Sequence, residues 1–194
     1  MRVRSTYVAA ILAVSSSLAL AASERGAASV TLNGKKVSID YGRPALKGRA
    51  LGDLIKQLSE DRVWRSGDDQ VTTLTTETDL VVGGKTVKAG KYSVYVHLPV
   101  DGSRNLILNT DLGQPLVTIF AAAPDNLKQA PWPYIGNYQA KIGAKEVVRA
   151  PMRKEMVKAP VDVFTIDMTP AGAGATLKLS WGDESWSLDL KAAK

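Results

Sequence analysis

The chain has 194 residues with 25 Lys+Arg, 19 Asp+Glu, one His and no Cys, giving a formal net charge of +6. Without cysteine, disulfides, thiol redox chemistry, Cys nucleophiles and Cys-ligated metals are excluded, and the lone His97 cannot build a multi-histidine zinc site within one chain. The basic residues are scattered singly rather than clustered in runs, which argues against nucleic acid as a partner.

Arg2 and Arg4 precede an apolar run from Tyr7 to Val14, then three serines, then an apolar stretch ending at Ala22. Ala19-Leu20-Ala21 fits the small-x-small cleavage pattern of a secretory signal peptide. Residues 1–22 are therefore expected to be a signal peptide, cut after Ala21 or Ala22, and residues 23–194 to form a single exported domain, periplasmic or extracellular. The interrupted run falls short of a ~20-residue membrane span, so no span is expected after cleavage. Loss of Arg2 and Arg4 leaves 23 Lys+Arg against 19 Asp+Glu, a net charge of +4. The core of such a domain must carry its stability without covalent staples.

Beyond the leader the apolar period is mostly two. Val30 and Leu32 alternate with polar neighbours, as do Val37, Ile39 and Tyr41, and Asn33-Gly34 between them is a strong two-residue hairpin turn. That turn pairs Leu32 with Lys35 and Val30 with Val37. Gly83-Gly84 likewise pairs Val82 with Lys85 and Leu80 with Val87, and sets Asp79 opposite Lys88. Tyr92, Val94, Val96 and Leu98 form one face of a further strand whose other face carries Ser93, Tyr95 and His97. The unbroken run Leu106-Ile107-Leu108 suggests a strand buried on both faces. Two more strands are expected from Leu116 to Phe120 and from Val161 to Met168. Asp183-Glu184 is read as a third hairpin turn, with Leu177, Leu179, Trp181, Trp186, Leu188 and Leu190 on one buried face. Leu51, Leu54, Ile55 and Leu58 follow helical spacing and predict one short helix in a connection. The stretch from Pro124 to Tyr134 is irregular, and Trp132, set between two prolines, is expected to be exposed. The fold class is all-β and mainly antiparallel: a β-sandwich, with a jelly-roll variant as one arrangement.

Between Tyr41 and Thr75 the composition changes. Arg43, Lys47, Arg49 and Arg65 fall close to Trp64, Asp68 and Asp69, among Gly and Pro breaks. The cations could present forked donors to a small anionic ligand, and Tyr41 and Trp64 could stack on a carbohydrate ring. The competing reading is internal, with Arg43 or Arg65 paired to Asp68 or Asp69 to pin the loop. The candidate ligand-binding residues are thus Tyr41, Arg43, Lys47, Arg49, Trp64, Arg65, Asp68 and Asp69. No metal or cofactor is expected, because two adjacent carboxylates fall short of a calcium loop. His97, Ser93 and Tyr95 lack the G-x-S-x-G elbow of a Ser hydrolase and read as ordinary sheet residues.

The chain resembles a secreted bacterial family called domain of unknown function 2911. The resemblance rests on the run from Tyr41 to Arg49, on Val63-Trp64-Arg65-Ser66-Gly67 and Thr72, and on Gly84-Lys85. It continues through Ala89-Gly90-Lys91-Tyr92-Ser93, Leu98-Pro99 and Leu106-Ile107-Leu108-Asn109. This chain has Asp68-Asp69 where the family usually has Ala-Asn, and Arg104-Asn105 where it often has a Trp. The resemblance implies export and a β-rich fold. It implies no activity and carries over no catalytic residue. Two functions are left by the sequence: a non-enzymatic ligand-binding or cell-envelope module, and a hydrolase acting through the segment from Tyr41 to Thr72.

Overall fold

The computed structural model describes residues 24–134 and 136–193, so the expected signal peptide and its cleavage site lie outside the described residues. Two antiparallel sheets face one another. The larger runs in the order β1 (Arg25–Leu32), β2 (Lys35–Gly42), β4 (Thr73–Thr76), β7 (Gly90–His97), β8 (Asn105–Asn109) and β11 (Glu146–Pro151). The short β3 (Val63–Trp64) adds to it along β7. The smaller runs β12 (Arg153–Ala171), β13 (Gly174–Ala192), β5 (Leu80–Val82) and β6 (Lys85–Val87). A two-stranded ribbon joins β9 (Gln114–Pro115) to β10 (Pro131–Trp132).

Both Gly-containing hairpins form in the expected register. Leu32 faces Lys35 and Val30 faces Val37 across Asn33-Gly34, whose φ values of 50° and 75° are those a tight hairpin turn demands. Leu80 faces Val87 across Gly83-Gly84, and Lys88 Nζ meets Asp79 Oδ2 at 2.8 Å. One face of each sheet then buries the apolar set: Ile39, Leu74, Val96 and Leu108 from the larger, Phe164, Ile166, Leu177 and Leu188 from the smaller. Each such side chain contributes roughly 1.5–3 kcal/mol by leaving water.

The C-terminal segment differs from the expectation. No turn forms at Asp183-Glu184; β13 runs unbroken from Gly174 to Ala192, and the chain reverses at Gly172-Ala173 instead. Leu177, Leu179, Trp181, Trp186, Leu188 and Leu190 are all buried. What switches the inward positions from odd to even numbers is Gly182, at φ +60°, beside the register shift opposite Val161. A glycine in the left-handed region is the usual device of a bulge.

Three further expectations are settled by packing. Leu106-Ile107-Leu108 is buried on both faces because helix α2 (Tyr138–Ile142) covers the outer side, where Ile107 meets Val63, Tyr95, Tyr138 and Ile142. The segment from Leu116 to Phe120 is not a strand: Leu116–Thr118 makes a 3-10 turn that buries Leu116 and leaves Ile119 and Phe120 exposed. Trp132 is buried, not exposed, at 9% accessibility, and packs with Leu116 and Ala123. The expected helix forms as α1 (Leu51–Lys56), in the connection between β2 and β3.

Candidate functional site

The segment after β2 is built around close backbone approach. A side chain at Gly42 would collide with the Asp68 backbone and carboxylate, and one at Gly67 would come within 2.8 Å of Thr72 Oγ1. The turn from Ser66 to Asp69 lies flat against the end of β2 for that reason. Ser66 and Asp69 both adopt left-handed backbone, φ 52° and 53°, which is strained for residues with a side chain. The turn is held by Thr72, whose hydroxyl donates to Ser66 O at 2.7 Å and whose carbonyl accepts from Val94 N at 2.8 Å.

This turn, α1 and β13 enclose a cleft of about 240 Å³ at one end of the sandwich. Leu51, Leu54 and Ile55 of α1, with Leu58 beyond it, form one wall. Trp64, Trp181 and Trp186 form the aromatic wall. Trp64 stacks on Trp181 at 5.0 Å and 12°, and presents its edge to Phe164 at 4.8 Å. Arg49, Arg65 and Asp68 supply the charged lining. A second cleft of about 300 Å³ adjoins the first, sharing Leu58, Trp64 and Arg65 and adding Gln57, Ser59, Val63, Tyr134 and Gly136.

The eight sequence candidates divide. Arg49, Trp64, Arg65 and Asp68 line the first cleft. Tyr41 does not: it is 3% exposed, its ring sits edge-on to Phe164 at 5.7 Å, and its hydroxyl accepts from Ile166 N at 2.9 Å, tying the two sheets. Arg43 pairs with Glu24 at 3.1 Å. Lys47 is exposed, and its backbone N–H donates to Asp162 Oδ1 at 3.0 Å. Asp69 stands outside the cleft lining, within electrostatic reach of Arg65. Burial pushes the Arg65 guanidinium below its usual value, while Asp68, Asp69 and the Tyr95 phenol oppose the shift. Arg49 gives its Nε to Leu46 O at 2.8 Å and its Nη2 to Ala45 O at 3.1 Å, so it braces the cleft rim.

Sequence reasoning assigned Trp181 and Trp186 to the core alone and missed that they also wall the cleft. It missed as well what fixes Trp186. The indole N–H donates to Glu184 Oε2 at 2.7 Å, and Arg104 meets the same carboxylate through Nε at 3.0 Å and Nη2 at 2.8 Å. Lys154 adds a contact at 2.7 Å. The departure from the family pattern at Arg104 was the available signal, since a cation in place of an indole needs a buried partner. Elsewhere, Ser93 gives its hydroxyl to Asp111 O at 2.6 Å, and Tyr95 is buried beneath Tyr138. Burial pushes Tyr95 up, and it raises Tyr138 to about 12.

Fold and site together define an antiparallel two-sheet β-sandwich with an aromatic-walled cleft at one end. The family model described as protein of unknown function, DUF2911, matches residues 23–190, and the chain belongs to that family. No curated protein matches the chain, and neither does any solved structure.

Proposed function

We propose that the protein is an exported, non-enzymatic binding module of the cell envelope that takes a small ligand into the cleft beside α1. The observation that supports this reading is the wall of that cleft. The half-buried Trp64 indole and the half-buried Leu54, Ile55 and Leu58 border a concavity backed by the buried Trp181, Trp186 and Leu51, an apolar lining with a few polar groups at its edge of the kind that small-molecule sites use. The charged lining, two arginines and one aspartate, suits holding a polar end of a ligand better than shuttling protons, which needs a group poised near neutrality.

Three of the four tryptophans line the first cleft, so occupancy should change intrinsic fluorescence and raise the melting temperature by mass action. Leu54→Lys, which places a charge in the apolar wall, should abolish both responses. A ligand library that moves neither signal in the wild type would remove the binding reading. Export is part of the same proposal and rests on the leader sequence. N-terminal sequencing of the envelope fraction should begin at Ala22 or Ser23; an intact Met1 there would overturn it.

A further inference from the structure

We infer that the ligand is a single-chain amphiphile, its apolar tail in the first cleft and an oxyanion head, carboxylate or phosphate, in the second. The inference rests on the binding reading above and adds the chemical class. At about 240 and 300 Å³, each cleft sits at or below the lower end of ligand pockets, roughly 300–1,000 Å³. Leu58, Trp64 and Arg65 border both, and the proposed ligand is one elongated molecule laid across these three side chains.

The two linings differ in kind. Leucines and indoles dominate the first, whose charged lining is Arg49, committed to the Leu46 and Ala45 carbonyls, together with Arg65 and Asp68, a carboxylate that disfavours an anionic head. Among the described residues lining the second, Arg65 is the one charged group, accompanied by Gln57, Ser59 and Tyr134. Gln57 gives one amide N–H to Asp53 O at 3.1 Å and retains the other. Ser59 gives its hydroxyl proton to Asp61 Oδ1 at 2.8 Å, which leaves Arg65 and the Gln57 amide as donors to an oxyanion in this lining. Arg65 is half-buried, so its charge, partly met by Asp68 and Asp69, acts on an oxyanion through a medium of lower dielectric than water. A guanidinium fork also matches the paired oxygens of carboxylate or phosphate. A neutral sugar would leave the leucine wall without complementary contacts.

The test uses the mature protein with decanoate, decyl phosphate, decanol and maltose, each below any micellar concentration, read by tryptophan fluorescence and thermal shift. Decanoate or decyl phosphate should bind roughly tenfold or more tightly than decanol, the worth of one hydrogen bond to a charged group. Which of the two wins distinguishes a carboxylate from a phosphate head. Arg65→Gln should erase that preference while decanol binding persists. Should Arg65→Gln not fold, the exposed Gln57→Glu serves instead: a carboxylate in the head cleft should weaken the anions roughly tenfold and leave decanol unchanged. If decanol or maltose binds as well as the anions, the cleft is a binding site but the oxyanion class is wrong. If none of the four moves either signal, the amphiphile inference is overturned, while the binding reading stands or falls on the wider ligand library.

Discussion

Arg43 and Arg65 carry the same guanidinium into different surroundings. Arg43 reaches Glu24, itself well exposed, and a pair of that kind contributes about 0–1 kcal/mol. Arg65 is half-buried beside Asp68 and Asp69, in a turn already holding two strained residues. Removing Arg65 takes from Asp68 and Asp69 a cation within electrostatic reach, a cost of about 1–3 kcal/mol. Chemical unfolding should therefore separate the variants: Arg43→Ala within about 1 kcal/mol of wild type, Arg65→Ala clearly less stable. Equal curves would mean that Asp68 and Asp69 do not depend on Arg65. Both arginines look alike in sequence, Arg43 between Gly42 and Pro44 and Arg65 two residues before Gly67. Only the fold decides that one faces Glu24 and the other the aspartates.

At the scale of elements, β13 is where sequence and structure diverge, and its parity switch makes the cleft. Trp181 and Trp186 are five apart, so an unbroken alternation would set them on opposite faces. Gly182 reverses the alternation, and both indoles reach the same cleft. Trp181 stacks on Trp64 and donates its N–H to Asp162 O at 3.2 Å. Trp181→Ala should lower stability by about 3–5 kcal/mol, as for other buried aromatics; an unchanged denaturation midpoint would show the indole to be dispensable. Gly182→Ala should cost about 2 kcal/mol, because φ +60° is unfavourable for alanine and its Cβ would lie 2.8 Å from that of Leu51. The same variant should disturb ligand responses by displacing Leu51 of α1, whereas wild-type unfolding and fluorescence would show that the bulge tolerates a side chain.

The two Gly-containing hairpins were legible because turn chemistry and hydrophobic alternation each fix the register and agree. The β13 bulge was not, since a parity break around Gly182-Asp183-Glu184 looks the same whether the chain turns back or merely kinks. The cleft was legible by half. Arg49, Trp64, Arg65 and Asp68 lie near one another along the chain, and the helical spacing of Leu51, Leu54, Ile55 and Leu58 announced α1. Trp181 and Trp186 arrive from the far end of the chain through sheet-on-sheet packing, which no local pattern encodes.

At the scale of the whole molecule, a buried ion pair joins the two sheets. Arg104 enters β8 of the larger sheet, Glu184 belongs to β13 of the smaller, and their side chains are 5% and 11% exposed. The Arg104 guanidinium also lies 5.6 Å over the Trp186 ring, so the pair supports the aromatic wall of the cleft. Burial by itself would raise the Glu184 carboxyl; hydrogen bonds from Lys154 and Trp186, and then the Arg104 charge, outweigh it and hold the group below its ordinary value of 4.5. A carboxyl depressed in the folded state stays charged there after the unfolded chain has begun to take up a proton. Its contribution is therefore complete above about pH 4.5 and is lost as the pH falls through the depressed value. Exposed carboxyls that are also depressed, Asp79, Asp101 and Asp189, are common to wild type and variant and cancel in the difference. Glu184→Gln strands the Arg104 charge, so at pH 7 it should be about 3 kcal/mol less stable than wild type, the low end for a broken buried pair. That gap should narrow steadily on acidification below the ordinary glutamate range. Urea unfolding of both proteins from pH 7 downward measures it, and a gap that does not change with pH would mean that the Glu184 charge contributes nothing to joining the sheets.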